Sequence, residues 1–158
     1  MKTQDSLNKM VSRIGFWSAI LKTVWTIWFI VAFGYYMSSL PSEWPGIEAF
    51  AASFEVIPYI AWVIPCLLLA LTFPVMMSSI YCYASDNKRI WSLIGLVFAV
   101  MYGAVLAANY WVLLTVVRES LLSRYTEGLE WFVIGSPHSI TNTIEGIGYG
   151  FMSLLRFL

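Results

Sequence analysis

Residues 90–117, IWSLIGLVFAVMYGAVLAANYWVLLTVV, carry no charged side chain. As a helix rising 1.5 Å per residue, this run would be about 42 Å long, more than the ~30 Å of hydrocarbon in a bilayer. Hydrophobic residues make up 59% of the 158-residue chain and charged ones 11%, against about 45–50% and about 25% in soluble domains. A water-soluble domain of this size could not hide so much apolar surface. The predicted solvent is lipid.

Working outward from this run, three more apolar stretches appear at 16–40, 56–81 and 137–158. Each is near the ~20 residues needed to cross a bilayer as a helix. The chain is therefore predicted to be an all-α integral membrane bundle, a single domain over 1–158 with four transmembrane helices. The polar separators set its direction. Lys2, Lys9 and Arg13 precede the first run, Lys22 lies just inside it, and Lys88 and Arg89 stand in ASDNKR (84–89). PSEWPGIEAFAASFE (41–55) has Glu43, Glu48 and Glu55 and no basic residue. Because basic residues stay on the cytoplasmic side, the N-terminus is predicted to be cytoplasmic, in the inner or plasma membrane of the cell. Arg118 and Arg124 in the last outer loop run against the rule, whereas Arg156 agrees with it. Positive and negative charges cancel, so no basic field draws nucleic acid. The bilayer is the expected partner.

Aromatic residues gather near the expected span ends, among them Trp17, Tyr35, Tyr36, Tyr59, Tyr83, Trp91, Tyr110, Trp111 and Trp131, where headgroups welcome amphipathic rings. Trp25 and Trp28 sit deeper and are expected to pack. In the first outer loop, Ile47, Phe50, Ala51 and Phe54 recur at helical spacing, which predicts a short interfacial helix. Val117, Leu121 and Tyr125 continue the third helix toward Gly128. Cys66 and Cys82 fall roughly 24 Å apart along one helix and cannot bridge. One histidine and no CxxC pair argue against a metal site, and no cofactor is expected.

Within the third run, YGAVLAAN (102–109) contains two small-xxx-small pairs, Gly103 with Ala107 and Ala104 with Ala108. Such pairs let helices approach closely in lipid. Tyr102 and Asn109 share a face, and Asn109 needs a partner inside the bundle. In the second run, Pro65 and Pro74 each remove a backbone donor, and a kink is expected at both.

The final run is the unusual one. At about 100° per residue, His138, Asn142, Glu145, Tyr149 and Arg156 fall on one narrow stripe, with Ile140, Ile144, Ile147, Phe151 and Leu154 opposite. Ser136 and Pro137 supply a plausible cap and first position. A carboxylate in hydrocarbon costs about 2.5–3.5 kcal/mol unless it is protonated, paired or hydrated. The stripe is therefore expected to face the bundle, with Glu145 meeting His138, Asn109, Tyr102 or, less readily, Lys22.

SPHSI (136–140) and IEGIGYGFMSL (144–154), with TVVRESLL (115–122) and TEGLEWF (126–132) upstream, resemble a family of uncharacterised prokaryotic multi-pass integral membrane proteins. That family carries a PHxI segment, an acidic residue and then GYxxM. The resemblance spans about the last third of the chain and implies no activity. It does imply further spans, so the four helices can also be read as part of a larger bundle truncated at its C-terminus.

Three functional classes follow. The first is a non-enzymatic membrane protein whose stripe binds a small ligand or relays protons, in transport or sensing. The second is a structural or assembly subunit whose stripe and YGAVLAAN face meet partner membrane helices or a second copy. The third, an intramembrane enzyme on His138 and Glu145, is the weakest, because no HExxH, nucleophile elbow or phosphate loop is present.

Overall fold

The structure is a computed structural model describing residues 2–154, with side chains from Ser6 onward. Its order is α1 (Lys2–Ser39), α2 (Ile47–Ala52), α3 (Val56–Tyr83), a single 3-10 turn, α4 (Arg89–Val112), a π-helical turn at Leu113–Val117, α5 (Arg118–Leu122) and α6 (Ile140–Leu154). Among the described residues there is no strand. The fold class is all-α, as the apolar runs require.

Three helical stretches are long and apolar enough to cross a membrane: Ser6–Ser39, Val56–Tyr83 and Asp86–Leu122. The first extends well before residue 16, because KTQDSLNKMVSR holds no Gly or Pro to stop it. Of the fourth expected span, residues 137–139 form a turn before α6, the 15 residues of α6 reach about 22 Å at 1.5 Å each, and residues 155–158, including Arg156, lie outside the described residues.

Packing proceeds in sequence order: α1 lies on α3, α3 on α4, and α4 on α6. Small residues set the spacing. A methyl group on Gly103 would fall 2.7 Å from the Pro74 ring and 2.8 Å from the Ala70 carbonyl oxygen. Pro74 has no N–H to offer that carbonyl, and the bare Gly103 backbone fills the space beside it. The Gly103–Ala107 face is thus the one that packs. Ala104 and Ala108 are exposed on the other side. Helix α3 continues unbroken through both Pro65 and Pro74.

At the acidic end, an aromatic cluster of Phe33, Tyr36, Phe54, Tyr59 and Trp62 joins α1 to α3. Tyr36, Tyr59 and Tyr110 are buried core residues, not the headgroup anchors that positions near span ends predict. Trp28 is exposed rather than packed. Phe50 and Ala51 of α2 are buried in the same core, so α2 covers the bundle instead of only floating at the interface.

The third long helix ends earlier than Gly128. Arg124 adopts the left-handed conformation at φ 55°, its N–H donates to the Leu121 carbonyl and that of Tyr125 to the Ser120 carbonyl. This Schellman pattern closes a helix. Before it, the Leu113 carbonyl accepts the Arg118 N–H five residues on and also the Tyr59 hydroxyl at 3.3 Å. The π turn is therefore anchored to α3.

Candidate functional site

Helix α6 starts at Ile140, not at Pro137. Ser139 rather than Ser136 provides the cap, its Oγ accepting the Asn142 amide at 3.3 Å. Two further bonds fix this end: Thr141 Oγ1 donates to the Phe132 carbonyl at 2.9 Å, and Asn109 Nδ2 donates to the Thr141 carbonyl at 3.5 Å. Asn109, 5% exposed, thus finds its interior partner in the first turn of α6.

The buried positions of α6 are Thr141 and Gly148. On a wheel of about 100° per residue with His138 at zero, they lie near −60° and −80°. The polar stripe is centred near zero, so it borders the α4 contact rather than facing it squarely. Glu145, on the near flank, is half-buried. Asn142, on the far flank, is exposed. His138 precedes the helix, is exposed, and has its ring 5.9 Å from that of Trp131. The structure does not bring His138 to Glu145.

What it brings there instead is Tyr110. This phenol is 2% exposed and lies beside the Glu145 carboxyl group. Cys66 of α3 and Tyr149 of α6 also lie beside Tyr110. Tyr102 stands beside them, its ring 6.2 Å from that of Tyr149. Glu145 therefore sits at the junction of α3, α4 and α6, among phenols and a thiol.

Lys22 does not complete an ion pair with Glu145. Its ammonium lies 3.8 Å from the centre of the Phe73 ring, a cation–π contact, and Phe73 in turn meets the Tyr102 ring edge-on at 5.2 Å. Among the described residues, no basic side chain is ion-paired with Glu145. Nor do three or more His, Cys, Asp or Glu side chains come together as metal ligands there.

No family model, curated protein or solved structure significantly matches this chain.

Of the six site residues expected from sequence, Glu145, Tyr149 and Tyr102 come together, Asn109 lies at the start of the same seam, and His138 and Asn142 stand outside. Tyr110 and Cys66 are not among those six. A signal for Tyr110 exists: Tyr102, Leu106 and Tyr110 recur every four residues and all three are buried, the spacing of one helix face. Cys66 has the same signal in α3, where Trp62, Cys66 and Ala70 recur every four residues and are all buried.

Proposed function

We propose that the chain is a non-enzymatic multi-pass protein of the cell membrane, N-terminus cytoplasmic, in which Glu145 forms an interior site for a proton or a small cationic ligand. One observation supports the reading above others: a half-buried carboxyl lies beside Tyr110, near Tyr102, Tyr149 and Cys66, without a basic partner among the described residues. A carboxyl group kept at membrane depth is costly, and neutral hydrogen-bond donors offset that cost while leaving its charge unmatched. The missing counter-charge is what a proton or ligand cation supplies. In this reading α6 belongs to a fourth span.

The test uses the full chain in proteoliposomes. Glu145→Gln keeps the shape and the hydrogen-bonding capacity but removes the charge, so a pH-dependent flux or ligand response should disappear while thermal unfolding stays close to wild type. Identical proton flux and ligand binding in the two proteins would refute the proposal.

A second reading, assembly with another membrane helix, draws on the open side of α6. Asn142 is exposed there, and a Cβ on Gly146 or Gly150 would meet nothing within 4 Å. Small residues beside a polar one favour helix association in lipid. Crosslinking from a cysteine at Asn142 in native membranes should then capture a second chain; exclusively intramolecular products would rule this out.

A further inference from the structure

At the basic end of the bundle, α1, α3 and the start of α4 line an open groove of about 790 Å³. A hollow of about 470 Å³ adjoins it and shares Ile80, Lys88 and Ser92. The lining changes character along its length. Toward the middle of the helices its walls are Phe16, Ala19, Met76 and Ile80, and toward their ends Ser12, Ser85, Lys88 and Ser92. The close approach of Gly15 to Ser79, 3.2 Å for an added methyl, sets the floor. The Tyr83 hydroxyl donates to the Asn8 carbonyl at 2.9 Å and ties α1 to α3 at the rim.

The charges at that rim are one-sided. Lys88 is exposed and has no ion-pair partner among the described residues. The sole carboxylate in the turn, Asp86, faces Arg89 at 4.0 Å. An anion is therefore matched at the mouth and hydrocarbon further in.

We propose that this groove holds one anionic glycerophospholipid, its phosphate at Lys88 and the serine hydroxyls and an acyl chain along Phe16, Ala19, Met76 and Ile80. Basic pockets between membrane helices take lipid headgroups in this way, and the volume falls in the range of about 300–1,000 Å³ typical of ligand sites. A soluble anion would leave the apolar half unused. A neutral lipid would leave Lys88 unmatched. The proposal rests on the multi-pass reading but not on any role for Glu145.

The full chain, purified in mild detergent with equimolar phosphatidylglycerol and phosphatidylcholine, is assayed for retained lipid by native mass spectrometry. Retention of the protein in alkali-washed membranes tests the multi-pass reading separately. Wild type should prefer phosphatidylglycerol by about fivefold, the ratio set by one lysine near a lipid surface. Lys88→Gln should bring the ratio near one. Ala19→Trp should block the acyl channel and lower retention of both lipids, and Arg124→Gln, in the opposite loop, should match wild type. Equal retention of the two lipids by wild type would overturn the proposal, as would a preference that survives both groove variants.

Discussion

Gly148 of α6 lies so close to Leu106 of α4 that an added methyl group would come within 2.6 Å of a leucine δ-carbon. Leu106 is 1% exposed and has no room to retreat. This contact sets how near α6 comes to the tyrosines of α4 that neighbour Glu145.

Gly148→Val should therefore cost about 1–3 kcal/mol, the usual penalty of overpacking, measured by thermal unfolding in detergent. Gly146→Val is the matched control, since both glycines are mid-helix and nothing lies within 4 Å of a Cβ at Gly146. Equal losses at the two sites would mean that this seam does not position α6.

The same logic separates the two small-residue pairs of α4. Gly103→Ala places its methyl against the Ala70 carbonyl, a backbone atom that cannot swing aside. A loss of at least about 1 kcal/mol is expected there. Ala104→Val and Ala108→Val, on the exposed side, should stay within about 0.5 kcal/mol of wild type. Detergent unfolding curves of the three variants decide it.

Tyr110 and Glu145 should behave as one unit. Tyr110→Phe removes the phenol that the carboxyl group meets, and Glu145→Gln changes the same contact from the other side. Residues in contact show coupling energies of about 0.5–3 kcal/mol. Unfolding free energies of the two single variants and the double variant should deviate from additivity by that amount. Strict additivity would dissociate the pair.

Topology is testable with two cysteines in a background lacking Cys66 and Cys82. One at Asn87, in the turn between α3 and α4, should react with a membrane-impermeant maleimide only after cells are opened. One at Glu127, beyond α5, should react in intact cells. The reverse pattern would invert the orientation.

The long helices could be read from the chain because a membrane imposes a one-dimensional requirement, about 20 uninterrupted apolar residues. The short helix α2 was legible from Ile47, Phe50 and Ala51 by their spacing. The start of α6 was not. SPHSIT offers two serines with equal capping chemistry, and the choice of Ser139 is fixed by Thr141 bonding to Phe132 and Asn109 to Thr141. For the site, periodicity put Glu145 and Tyr149 on one stripe but could not say how α6 is rotated against α4. That rotation is decided by Gly148 meeting Leu106. It moves Asn142 outward and makes Tyr110, rather than His138, the neighbour of the carboxyl group.

The π turn at Leu113–Val117 holds one residue more than an α-helical turn would, its bond running from residue 118 back to 113. Deleting one amino acid from that turn should let the rod close into ordinary α-helix while the segments above and below keep their mutual phase. By the same count, a deletion elsewhere in α4 would twist everything beyond it by about 100°, carrying Leu121 out of the core and turning a different flank toward α3.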